Sequence, residues 1–129
     1  MSLYNRLHNV TNPNQGGAKR VLCVCSAGLL RSPTAAIVLQ QEYGYNTRSA
    51  GVTQDYALIP VDRVLLAWAD EVVCMEPWMA TVVERMTMDY GLVMPIITLN
   101  VPDMYGYMEQ GLQTAIKTKY KEAISEETL

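Results

Sequence analysis

Cys25 and Arg31 stand six positions apart in the segment Cys25-Ser26-Ala27-Gly28-Leu29-Leu30-Arg31-Ser32. A thiolate is a strong nucleophile, and a guanidinium grips two oxygens of one oxyanion at once. Spacing alone is a weak signal in a chain with three cysteines and six arginines. The surroundings make it stronger. Val21-Leu22-Cys23-Val24-Cys25 is a short continuous apolar run, the pattern of a strand buried on both faces. Ser32-Pro33 reads as a helix start, with Ser32 at the N-cap and Pro33 at the first helical position. A loop between strand and helix can curl its N–H groups around a tetrahedral anion, and the helix terminus adds positive partial charge. Residues 26–32 are therefore the candidate phosphate cradle. Gly28 supplies a left-handed turn there, and Ser26, Ala27, Leu29 and Leu30 supply backbone amides. The same field favours a thiolate at Cys25, to which Ser32 can donate a hydrogen bond. The chemistry implied is phosphoryl transfer to sulfur.

The rest of the chain has to position that loop. From Ser32 an apolar stripe through Ala36, Ile37 and Leu39 predicts a helix that Gly44 stops, with Gln40-Gln41-Glu42 toward solvent. Asn46 to Ala50 reads as a second, less apolar strand ending at Gly51. Pro60 starts a helix with Val61, Val64, Leu65 and Trp68 on one face, and Glu71 to Met75 is a third strand. Pro77 starts a helix through about Asp89, with Val82, Val83 and Met86 inward. Met94 to Leu99 is a fourth strand, and Met108 to Ile124 a last helix with Leu112, Ala115, Ile116 and Tyr120 inward. Strand and helix alternate four times, which predicts a single α/β domain: a doubly wound, four-stranded parallel sheet with helices on both faces. We place the domain at residues 20–125, after a lead-in at 1–19 rich in turn formers, with a short solvated tail at 126–129. Ligands of such folds sit beyond the carboxyl ends of the strands. The residues just after each strand are therefore where chemistry is sought, Asp103 after the fourth strand among them.

Composition narrows the classes. The 129 residues carry a net charge of −3, with no basic run, which excludes a dedicated nucleic-acid binder. The uncharged stretch Leu92 to Val101 is too short for a membrane span and holds a proline. The N-terminus shows no apolar segment behind a basic start, so no secretory leader is expected. Three cysteines point to a reducing, cytoplasmic setting rather than a disulfide scaffold. No metal and no cofactor is expected: the one histidine is His8, and Cys23 and Cys25 lack a second pair.

The chain resembles the low-molecular-weight protein tyrosine phosphatases. The likeness rests on Val21 to Cys25, Arg31-Ser32-Pro33, Ser49-Ala50-Gly51 and Met75-Glu76, and covers roughly residues 20 to 125. It implies a cysteine-dependent hydrolase of phosphate monoesters, acting on phosphotyrosine proteins or small aryl phosphates through a cysteinyl-phosphate. It also implies that Asp103, in Pro102-Asp103-Met104-Tyr105, is the general acid, with Tyr105 and Tyr107 at the rim of the cleft. The chain departs from the family at four places. Ala27-Gly28 stands where the family has Gly-Asn in the cradle, with glycine in place of an asparagine held left-handed. Leu30 replaces the second loop cysteine and with it the usual redox partner, Met104 replaces a proline, and the Gly51–Pro60 stretch is short, which reduces one wall of the cleft. The alternatives are a thiol-dependent arsenate reductase, which needs further mobile cysteines, and a silent phosphopeptide-binding module, which needs neither Cys25 nor Asp103. Cys23 and Cys74 read as core residues on adjacent strands, and the two tryptophans and eight methionines as core filler.

Overall fold

The computed structural model describes residues 16–27, 30–53, 55 and 57–127, the side chains of 126 and 127 excepted. Gly28, Leu29, His8 and most of the predicted lead-in lie outside the described residues. Strands β1 (Arg20–Cys25), β2 (Asn46–Gly51), β3 (Glu71–Cys74) and β4 (Ile96–Thr98) alternate with helices α1 (Arg31–Tyr43), α2 (Arg63–Trp68), α3 (Pro77–Tyr90) and α4 (Gln110–Glu127). All pairings are parallel, and the strand order is β2-β1-β3-β4. The first connection therefore runs one way along the sheet and the next two run the other. Right-handed crossovers then put α1 on one face and α2 and α3 on the other. Contacts agree, for α1 packs on α4 and α2 on α3. This is the doubly wound domain expected from the alternation.

The reversal of direction falls between β1 and β3, whose carboxyl ends frame the crevice where such folds bind ligands. Register brings the ends level: Cys25 lies opposite Gly51, Val24 opposite Cys74, and Cys74 opposite Thr98. Burial explains why β1 is apolar from Val21 onward, since Val21, Leu22, Cys23 and Val24 are fully covered. The polar strand β2 is buried too, with Thr47 donating to the Ala36 carbonyl at 2.8 Å. Gly44 ends α1 in the left-handed conformation, at φ 71°.

Several local expectations are corrected. Ser32 is not the N-cap of α1. Leu30 holds that position with no side-chain cap, and Ser32 lies inside the helix, drawn toward Cys25. Pro60 pairs in a parallel bridge with Gly51, and α2 starts at Arg63 instead, where Asp62 accepts the Leu65 amide at 2.9 Å. Val64 is 73% exposed, whereas Leu66 takes the inward place. β4 is cut to Ile96–Thr98 because Pro95 cannot donate to the ladder, though its carbonyl still accepts from Val72. In α3 the buried side chains are Met79, Ala80, Val83 and Thr87, with Val82 and Met86 only half-buried. α4 begins two residues later and ends three later than the periodicity predicts, and Leu112, Ile116 and Tyr120 are buried as expected. Met75 and Met79 are core residues, but Trp78, Met88 and Met104 are exposed.

One buried charge had no counterpart in the sequence pattern. Glu71, at the start of β3, is 1% exposed. Its carboxylate accepts from Lys19 Nζ at 2.9 Å and from the Tyr120 hydroxyl at 2.7 Å, and Tyr43 and Tyr45 stack beside it. This cluster lies at the amino ends of the strands, the far end from Cys25, and fastens α4 to them.

Candidate active site

Cys25 ends β1 and is 3% exposed. Its Sγ lies 3.1 Å from Ser32 Oγ, whose hydroxyl is also 3.4 Å from the Ala50 carbonyl. One hydroxyl proton can serve either partner. With Cys25 as a thiol, the S–H donates to Ser32 and Ser32 donates to Ala50; with a thiolate, the Ser32 proton turns to sulfur. A low-energy rotation thus stabilises the charged nucleophile.

The loop carrying Ser26 and Ala27 is held from behind by the segment after β2. Val52 N–H donates to the Cys25 carbonyl at 3.0 Å, Thr53 N–H to Ser26 at 2.9 Å and Leu58 N–H to Ala27 at 3.4 Å. In a trans peptide the following N–H points opposite to the carbonyl. The amides of Ser26 and Ala27 therefore turn to the other side, which is the cavity that both residues line. Gly51 makes this approach possible: a Cβ there would stand 2.6 Å from the Ala27 carbonyl carbon and 2.6 Å from the Ser26 oxygen. The short 51–60 stretch, expected to reduce a wall of the cleft, is spent on bracing the loop.

Arg31 opens α1 and is 3% exposed. Its Nη1 donates to the Glu76 carboxylate, in a short ion pair, and to the Val101 carbonyl at 2.9 Å. Its Nε lies 3.8 Å from Asp103 Oδ1. Asp103 is 64% exposed on the connection between β4 and α4. Thr34, in the first turn of α1, donates to the Leu30 carbonyl at 2.8 Å and accepts from Met108 N–H at 3.0 Å. It ties the connection carrying Asp103 to the helix carrying Arg31. Among the described residues, Cys25, Ser26, Ala27, Leu30, Arg31 and Asp103 line one cavity of about 210 Å³.

The structure thus brings Cys25, Arg31 and Asp103 to one cavity, with Ser32 against the sulfur. Gly28 and Leu29 lie outside the described residues. Tyr105 and Tyr107 are not among the described lining: Tyr105 is half-buried with its ring against Gly111, and Tyr107 is exposed. Thr34 is a positioning group that residue-type reasoning passed over, and Glu76, noted in the sequence, was not foreseen as the anchor of Arg31. Glu76 was legible only through the Met75-Glu76 pair that follows the third strand; Thr34 carried no signal beyond a hydroxyl in the first helical turn. Cys23 and Cys74 are core residues on adjacent strands, and no cysteine is in a disulfide. Burial pushes the Cys74 thiol up to about 12 and raises Cys23 as well. No group of metal-ligating side chains occurs among the described residues, and no described helix is long and apolar enough to cross a membrane.

No protein-family model matches the chain, and no curated protein is similar to it in sequence. Solved structures are. The Erwinia amylovora tyrosine phosphatase AmsI superimposes with a TM-score of 0.64 at 14% identity, over 87% of this chain and 95% of that one. A low-molecular-weight protein tyrosine phosphatase from Bacillus subtilis gives 0.57 at 18%, over 85% and 99%. The fold is that of the low-molecular-weight protein tyrosine phosphatases. The YwlE arginine phosphatase of Geobacillus stearothermophilus shares it too, with a TM-score of 0.55 at 22% identity over 84% and 94%. Within this phosphatase fold, Cys25 stands at the switch point of the sheet, where the loop from β1 to α1 meets the connections that follow β3 and β4.

Proposed function

We propose that the chain hydrolyses phosphate monoesters, with protein phosphotyrosine as the main substrate class, through a phosphocysteine at Cys25. The observation that carries this reading is the convergence of Cys25, Arg31 and Asp103 on one cavity with Ser32 against the sulfur. The solved tyrosine phosphatases that share the fold support it. In the proposed first step, the Cys25 thiolate attacks phosphorus, the phosphorus–oxygen bond to the tyrosine breaks, and Asp103 gives its proton to the departing oxygen. In the second, Asp103 as carboxylate takes a proton from water, which attacks phosphorus and returns Cys25 as thiolate with inorganic phosphate released. Arg31 and the loop amides of residues 26–32 neutralise the equatorial oxygens throughout. Glu76 fixes one end of the guanidinium, so that its direction is set before substrate arrives. Ser32 steadies the thiolate as it forms and as it leaves phosphorus. A reducing, cytoplasmic setting suits a mechanism that needs Cys25 unoxidised.

Turnover of p-nitrophenyl phosphate by wild type and Cys25→Ser tests the reading, followed by a panel of phosphotyrosine, phosphoserine and phosphoarginine peptides. We expect turnover that Cys25→Ser abolishes while circular dichroism is unchanged, and a preference for phosphotyrosine. Residual activity within about tenfold of wild type would remove Cys25 from the chemistry. Preference for phosphoarginine would retain the mechanism and replace the substrate class.

A further inference from the structure

Arg31 is the one cation among the described residues lining the cavity, and two carboxylates attend it. The two are not equivalent. Glu76 engages Nη1 together with the Val101 carbonyl, at the end of β3, and is 30% exposed. That is a fixed anchor. Asp103 stands at Nε, at 3.8 Å, on an irregular connection, and is itself part of the cavity lining. A guanidinium binds a tetrahedral oxyanion through one of its edges. With Nη1 committed, the edge containing Nε remains for the anion, and Asp103 stands on it. A phosphoryl group and the Asp103 carboxylate carry charges of the same sign and need the same donors.

We propose that Asp103 is an internal competitor for the anion site: it holds Arg31 when the cavity is empty, yields it to the phosphoryl group, and speeds release of inorganic phosphate by taking it back. This rests on the functional reading above and adds to it a role for Asp103 in binding, separate from proton transfer. The two roles push in opposite directions. Removing the carboxylate removes a general acid, which slows turnover, and removes a competitor, which strengthens anion binding. Removing a side chain that only donates a proton takes away no competitor for Arg31.

The test is calorimetric titration of inorganic phosphate into wild type, Asp103→Asn, Asp103→Ala, Arg31→Lys and Glu122→Gln. The last removes one negative charge from the far part of α4. We expect phosphate to bind Asp103→Asn and Asp103→Ala roughly three- to tenfold more tightly than wild type at low salt, as suits a partly exposed charge pair. The gain shrinks as salt rises, and the inhibition constant of phosphate in the turnover assay falls in parallel. Arg31→Lys binds phosphate weakly, and Glu122→Gln matches wild type. Asp103 is exposed, so both variants should fold, and thermal unfolding checks this. Unchanged or weaker phosphate binding in both Asp103 variants overturns the competitor role and leaves the hydrolase reading standing. Equal tightening in Glu122→Gln also overturns it, since net charge is then the cause. If neither wild type nor Asp103→Asn binds phosphate, the cradle is no anion site, and the functional reading falls together with this one.

Discussion

Gly51→Ala separates a loop braced by backbone contact from one merely near its neighbour. A methyl at position 51 would meet the Ala27 carbonyl carbon at 2.6 Å, the Ser26 oxygen at 2.6 Å and the Ala27 oxygen at 2.9 Å. Comfortable carbon contacts begin near ~3.5 Å, so the loop has to retreat by roughly 1 Å. All three atoms are backbone and cannot swing aside as a side-chain tip can. The loop is also pinned in place by the amides of Val52, Thr53 and Leu58. Overpacking of this kind costs about 1–3 kcal/mol. Misplacement of a reacting group by about 1 Å costs on the order of 10²-fold in rate. Gly91→Ala is the matched control: Gly91 has φ +70° and open space around it, so alanine strains a helix cap far from the cavity. It should lose roughly 1–2 kcal/mol with turnover intact. Urea unfolding and steady-state hydrolysis of p-nitrophenyl phosphate measure both effects. A Gly51→Ala protein with wild-type stability and turnover would mean that residues 26 and 27 do not lie against β2, and the bracing of the cradle would be refuted.

Two further outcomes follow from the site. Asp103→Asn should lower kcat/KM on phosphotyrosine by on the order of 10²–10⁴-fold, with a loss that shrinks across aryl phosphates as the leaving phenol becomes more acidic; an equal loss on every substrate would make Asp103 a turn residue. Iodoacetate should label Cys25 alone in the folded protein, because burial raises the thiols of Cys23 and Cys74 and closes both to reagent; a second adduct by mass spectrometry before unfolding would contradict the buried placement.

How much of this was legible in the sequence follows from the range of each interaction. The continuous run Val21 to Cys25 declared a strand covered on both faces, and Gly44 declared a helix stop, because each depends on the residue's own backbone and burial. Glu71 did not declare its burial. Its partners are Tyr120, 49 positions on, and Lys19, 52 positions back, and no local pattern encodes a pairing at that distance. Asp62 was overlooked as the cap of α2 because Pro60, a stronger local signal, attracted the helix start three residues early. Ser32 was misread for a related reason: Ser-Pro usually opens a helix, but here the hydroxyl is needed at the sulfur, so the helix begins two residues sooner.

That misreading is instructive about the site itself. A side-chain cap at the start of α1 would satisfy the first amides of the helix, which are the groups an oxyanion needs. Leu30 in the cap position leaves them available, at some cost in helix stability. The connection that carries Asp103 departs from local preference as well. It is bracketed by Asn100 at φ 58° and Met108 at φ 57°, the two described non-glycine residues in the left-handed region. Asparagine tolerates that conformation; methionine does so at a cost of about 1–2 kcal/mol. Met108 is held there by Thr34, which accepts its amide, and by Gln113, which donates to its carbonyl at 2.7 Å. The tether from Thr34 to Met108 thus sets where the chain between two strained residues can go, and Asp103 lies on that chain. A missing cap and a bracketed turn lie on either side of one cavity, and departures from local propensity are expected to gather where a fold does chemistry.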